Sequence, residues 1–169
     1  MDRMASIEFA YKNEQTEMEY YKEQAKRSKN DVVKKLFETL AADEKEHMQV
    51  ITSLHEKLVA DGAWPEDVPI RVGKTSLPYI LDSLPRNKHF QVDHDADDLT
   101  ALKTAIDFEE NGMKFYKELA GVCENPQERQ FFDFLAEMER EHFLSIQDSI
   151  LFLEDPATWF ATKEHSGLE

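Results

Sequence analysis

One thiol, Cys123, is all that this sequence offers in cysteine chemistry. That excludes an internal disulfide framework, and it excludes a four-cysteine iron or zinc site within the chain. Long apolar runs are missing too. None approaches the length of a membrane span, and the opening Met1-Asp2-Arg3-Met4 has no secretory core behind it. The expectation is a soluble, cytoplasmic protein. Basic residues are scarce beside acidic ones, 20 against 35, for a formal charge of −15. So acidic a surface repels phosphate backbones and anionic headgroups, which argues against nucleic acid or membrane as partner. It attracts cations, although acidity by itself commonly does no more than keep a protein soluble. No glycine-rich phosphate loop and no nucleophile elbow is present.

Five glycines and six prolines among 169 residues leave little to interrupt a chain rich in Glu, Lys, Leu and Ala, so the fold class is all-α. The length suits one domain, residues 1–160, with a tail over 161–169. Helical periodicity marks four long segments, at about 4–27, 31–60, 98–121 and 126–153. Asn30 can cap the second, and Asn125-Pro126 supplies a cap followed by proline at the first helical position. Asp61-Gly62 closes the second helix and Asp155-Pro156 the fourth. The pattern is two helical hairpins, about 4–60 and 98–153, joined by a crossover of about 63–97. That crossover carries Pro65, Pro69, Pro78 and Pro85, with a short helix expected around Leu77–Leu84. A connection this long can run back along a four-helix bundle.

Sliding the chain against itself by 95 residues aligns the hairpins without a gap. Ala10/Ala105, Glu14/Glu109, Tyr21/Tyr116, Asn30/Asn125, Phe37/Phe132, Leu40/Leu135, Glu44/Glu139, His47/His142 and Ile51/Ile146 are identical pairs. Two such hairpins would pack about a pseudo-twofold axis. Within the repeat lie Glu44-x-x-His47 and Glu139-x-x-His142, each with a glutamate one helix earlier, Glu14 or Glu109. Residues three apart share a helix face, so each pair can aim two ligands at one spot. Glu14 and Glu44 are equidistant from Lys29 at the first turn, and Glu109 and Glu139 from Glu124 beside the second, so all four should meet at one level. They interrupt apolar stripes, where unpaired charges cost several kcal/mol or more. Two divalent cations would cancel four carboxylates, and two imidazoles would complete the shell. Oxygen and nitrogen donors of this kind suit iron or manganese and tolerate zinc.

These stretches resemble the rubrerythrin branch of the ferritin-like superfamily. The likeness is carried by Glu109-Glu110-Asn111-Gly112-Met113-Lys114-Phe115-Tyr116, by Phe37-Glu38-Thr39-Leu40-Ala41 leading into Glu44–His47, by Phe132–His142, and by Asp155-Pro156-Ala157-Thr158-Trp159-Phe160. The resemblance implies a ferritin-like four-helix bundle with one long crossover and two iron ions on Glu14, Glu44, His47, Glu109, Glu139 and His142, with Glu44 and Glu109 as candidates to bridge. Tyr21 and Tyr116, two turns beyond Glu14 and Glu109, either face the site or fill the core. Glu17 is expected to be a solvated helix residue, with an extra or switching ligand as the alternative. Full-length relatives carry a four-cysteine electron-transfer module that this chain does not contain, so the electron donor is expected to be external. Relatives with an additional glutamate one turn after the third-helix ligand have it where Gly112 stands here.

The function implied is a di-iron oxidoreductase that cycles diferrous and diferric iron while reducing hydrogen peroxide or dioxygen, a role in oxidative stress. A ferroxidase that handles iron, and a non-catalytic di-metal sensor or structural protein, are the rival expectations. Helix faces of such a bundle allow a homodimer. Other features carry less. Asp93-His94-Asp95-Ala96-Asp97-Asp98 fails as a calcium loop, with Asp98 where glycine is needed and Thr104 where the bidentate glutamate belongs; Asp97 or Asp98 reads better as a helix cap. His55 reads as partly buried packing, His89, His94 and His165 lack ligand spacing, and Cys123 needs no redox role.

Overall fold

The computed structural model describes residues 3–66, 74–84 and 96–166. Those residues form six helices and no strand. The four long ones are α1 (Arg3–Arg27), α2 (Asp31–Asp61), α4 (Ala96–Val122) and α5 (Pro126–Glu154); the short ones are α3 (Leu77–Asp82) and α6 (Pro156–Ser166). None is long and apolar enough to cross a membrane.

The repeat sets both hairpin turns. Asn30 accepts hydrogen bonds on its side chain from the backbone N–H groups of Val32 and Val33, at 2.9 and 3.0 Å. Its counterpart Asn125 accepts one from Glu128 at 3.0 Å, with Pro126 in the first turn. Each satisfies amide donors that the helix itself leaves over, an effect of about 1 kcal/mol per cap. Gly62 ends α2 at φ +66, where its N–H reaches Leu58 O at 2.9 Å.

The hairpins lie with their turns at opposite ends. Beside the first turn, Arg27 meets Asp98 at 3.2 Å and the Tyr20 hydroxyl donates to Ala101 O at 3.1 Å. Tyr21, Val33, Phe37 and Leu40 pack there against Ala101, Leu102, Ile146 and Phe152. At the other end, Ile7, Leu54 and Leu58 pack against Leu119, Phe131 and Phe132 beside the second turn. A polar layer separates these two apolar clusters. The connection from α2 to α4 therefore has to return the length of the bundle. Trp64 packs on Phe131 at 5.8 Å between ring centroids, whereas Leu77 and Leu81 of α3 belong to the opposite cluster. The parts of the crossover at 67–73 and 85–95, with Pro69, Pro85, His89 and His94, lie outside the described residues.

Asp155 does more than stop α5. Its carboxylate accepts from the Thr158 N–H at 3.0 Å and the Thr158 hydroxyl at 2.6 Å, which caps α6 with Pro156 at its start. This helix buries Trp159 and Phe160 against Phe152. The sequence pattern had marked only the end of α5 here.

Candidate metal centre

The polar layer is built from three repeat-related positions, one shared by α1 and α4 and two shared by α2 and α5. Glu14 comes from α1, Glu44 and His47 from α2, Glu109 from α4, Glu139 and His142 from α5, and none is more than 2% exposed. Ligand atoms converge in three groups, with all atoms of a group within 4.8 Å of one another: Glu14, Glu44, His47 and Glu139; Glu44, Glu109 and His142; Glu17, Glu109 and Glu139. The hairpin register thus brings all six sequence-identified donors together.

Polar atoms this deep ordinarily have partners. Here both oxygens of Glu44, both of Glu139, Oε2 of Glu109 and Nδ1 of His142 have no hydrogen bond. Orphaned oxygens from several helices, converging with two imidazoles, are a donor set that fits two hard divalent cations. Carboxylate and imidazole approach one another closely. His47 Nδ1 lies 2.8 Å from Glu44 Oε2 and 2.9 Å from Glu14 Oε2, and His142 Nδ1 lies 3.0 Å from Glu44 Oε1. The rings are nearly parallel, at 14° and 5.3 Å between centroids.

Protonation follows from this crowding. Burial, then the surrounding carboxylates, pushes the Glu139 carboxyl well above the usual range. Burial also takes Glu14 up to about 7, with the Glu44 charge adding to it and His47 opposing. Burial alone would lower His47, but Glu44 and Glu14 outweigh it and raise it to about 9. His142 is likewise raised, by Glu109 and Glu44 against its burial. For Glu44 burial works upward, and the two imidazoles reverse it, holding this carboxyl below the usual range. In the metal-free chain, protons balance the carboxylates.

Tyr21 and Tyr116 are fully buried, and their hydroxyls donate into the site: Tyr21 to Glu109 Oε1 at 2.6 Å, Tyr116 to Glu14 Oε1. Both rings also pack in the flanking clusters, Tyr21 on Phe37 and Tyr116 on Phe132. The two readings of these tyrosines therefore both hold.

Three features depart from the sequence reading. Glu17 is not solvated: it is 3% exposed, Asn13 Nδ2 donates to its Oε1 at 2.8 Å, and its Oε2 has no hydrogen bond. It sits one turn after Glu14, on the same inward stripe, which overrides the usual preference of glutamate for water. Asp98 lies inside the first turn of α4 rather than capping it, and is drawn inward by Arg27. No sequence signal marks Asp43. Its Oδ2 lies 3.2 Å from His142 Nε2 and accepts from the Thr75 hydroxyl at 2.6 Å. A carboxylate on Nε2 keeps the other ring nitrogen turned to the site. No periodic signal links Thr75, on the crossover, to α2 and α5. His55 is half-buried, 3.9 Å from Glu8, and the buried Cys123 thiol donates to Leu119 O. The His165 side chain lies outside the described residues.

Against known proteins, the family profile described as Rubrerythrin matches residues 6–72 and 100–153. A solved structure titled "Hypothetical Protein Pfu-1136390-001 From Pyrococcus furiosus" shares the fold, with a TM-score of 0.65 and 22% identity over 92% of each chain. No curated protein matches. The Rubrerythrin match spans both hairpins and the start of the crossover, and the chain belongs to the rubrerythrin family.

Proposed function

We propose that this rubrerythrin-family bundle is a di-iron oxidoreductase that reduces hydrogen peroxide in preference to dioxygen, with electrons from an external donor. The observation that carries the reading is the set of orphaned, buried carboxylate oxygens converging with two imidazole nitrogens. Glu14 and His47 would hold one metal, Glu109 and His142 the other. Glu44 and Glu139 would be shared by both, because each falls in one donor group with Glu14 and His47 and in another with Glu109. That pair is related by the repeat, unlike the pair Glu44 and Glu109.

These residues would hold two iron ions, which would supply the redox chemistry between ferrous and ferric states. The chain's own residues do the rest. Four carboxylates balance two divalent cations, and burial in the bundle excludes bulk water. Asp43 holds a proton on His142 Nε2, which leaves Nδ1 as the donor toward the site. Tyr21 Oη and Tyr116 Oη hold the hydroxyl protons nearest the carboxylates and fix the orientation of Glu109 and Glu14. Reduction of one peroxide to two waters consumes two electrons and two protons, and these hydroxyls are the groups poised to relay protons.

The test is stopped-flow absorbance of anaerobic, ferrous-loaded protein mixed in parallel with peroxide and with dioxygen, with Glu44→Ala as the site control. Fast oxidation by peroxide and slow oxidation by dioxygen, both lost in the variant, is the expected result. Faster reaction with dioxygen and turnover of many irons per chain would move the assignment to a ferroxidase. No iron-dependent signal would end the redox assignment.

A further inference from the structure

Asn13 and Glu17 break the repeat beside the donors, and they break it together. In the first hairpin, Asn13 donates to Glu17 one turn later on α1. The register puts Phe108 and Gly112 in their places on α4. Phe108 has no polar atom to offer; its ring packs edge-on against Tyr20 at 5.0 Å. At Gly112 a Cβ would lie 2.5 Å from Glu139 Oε2, so a side chain there would displace that carboxylate. One hairpin therefore has a carboxylate with its own positioning amide, and the other has neither.

Glu17 does not behave as a structural residue. It is buried to 3% exposure, it is the fifth carboxylate in a layer where each unpaired charge is costly, and Oε2 has no hydrogen bond. Its ligand atom lies within 4.8 Å of those of Glu109 and Glu139, and Glu109 belongs with His142. Asn13 takes Oε1, which leaves Oε2 as the free donor.

We infer that Glu17 is a seventh metal ligand, reaching from the first hairpin to the metal position of the second, and that the two positions are consequently unequal. This rests on the two-metal reading above. The position of Glu14 and His47 has those residues plus Glu44 and Glu139. The position of Glu109 and His142 has the same complement plus Glu17. Helix α1 then serves both positions, Glu14 one and Glu17 the other. Five carboxylates against two divalent cations leave one negative charge in excess, which favours the more highly charged oxidised pair over the reduced one.

Cobalt(II) titration of the metal-free chain tests this without relying on turnover. Cobalt d–d absorption weakens as coordination number rises, so it reports on the ligand count as well as on affinity. Wild-type protein is expected to bind two ions of unequal affinity and unequal absorption. In Glu17→Gln, one position should weaken by at least about tenfold and its absorption should strengthen, while the other stays within about twofold. Glu17→Asp keeps the charge but shortens the reach, and is expected to behave like the Gln variant. Unchanged isotherms and spectra in Glu17→Gln would overturn the assignment, as would equal weakening of both positions, or an Asp variant indistinguishable from wild type. A wild-type chain that takes up no second cobalt ion would overturn the two-metal reading along with it. Circular dichroism of each metal-free variant separates these results from loss of fold.

Discussion

The Tyr21 hydroxyl donates to Glu109 from the other hairpin, and the repeat mate of Tyr21, Tyr116, donates back to Glu14, the repeat mate of Glu109. The bonds cross the boundary between hairpins in both directions. Each half of the chain therefore orients a glutamate of the other half.

Tyr21→Phe removes one of these bonds without emptying the core position. Glu109 Oε1 then loses its donor in a buried setting, at a cost of about 1–3 kcal/mol in the metal-free protein. Metal affinity should fall about tenfold, as for loss of other groups that orient ligands. Manganese titration and thermal melts of Tyr21→Phe and Tyr116→Phe check this; two melts and two isotherms indistinguishable from wild type would refute it.

Asp43→Ala frees His142 Nε2 and leaves the Thr75 hydroxyl without its acceptor. The expected loss in metal affinity is about 10- to 100-fold, concentrated at the position that His142 serves. Thr75→Val keeps the Asp43–His142 contact and should weaken metal binding less. Isothermal titration calorimetry distinguishes the two, and equal losses would mean that the Asp43 carboxylate does not orient the ring without Thr75.

Gly112→Ala places a methyl group against the Glu139 carboxylate. In the metal-free protein that carboxylate is the end of a flexible side chain and can swing aside, so the melting temperature should change little. With metal bound it is held, and affinity should drop at least about tenfold. A large fall in metal-free stability with normal metal binding would contradict this account.

Stability of the metal-free chain should fall as pH rises from 5 to 9. Glu14, Glu17, Glu139, His47 and His142 all hold their protons more tightly than ordinary carboxyl or imidazole groups do. Such groups stabilise the fold below their unfolded pKa, and that contribution is lost as pH rises through the folded value. For Glu14 the window runs from 4.5 to about 7, and for His47 from 6.5 to about 9. Glu44 acts oppositely, its contribution lost only in stronger acid. Metal displaces these protons, so metal binding should tighten over the same range. Melts of chelated and manganese-loaded protein at pH 5, 7 and 9 measure both trends; a metal-free melting temperature that climbs with pH would show that protons do not balance this site.

The four long helices and their convergence were legible because period and repeat are both one-dimensional signals. Glu14 and Glu44 could be set at one height simply by counting from Lys29. Glu17 was misjudged because its repeat mate is glycine, although its spacing from Glu14 already placed it on the inward stripe. Asp43 and Thr75 could not be found this way: their contact depends on the path of the crossover, which has no period. Asp98 had the chemistry of a cap, and a tertiary partner 71 residues away drew it inward instead.

The turns at opposite ends of the bundle have a historical corollary. A hairpin carrying one Glu-x-x-His pair and one partner glutamate is half a donor set, and two identical copies meeting head to tail would complete it. Fusion of such a pair into one polypeptide releases each half from having to match itself. Some of the places where the halves then diverge, Asn13 and Glu17 against Phe108 and Gly112, and Asp43 against Met138, lie beside the shared centre. Duplication makes the symmetry, and a single covalent chain is what permits it to be broken where chemistry gains from inequality.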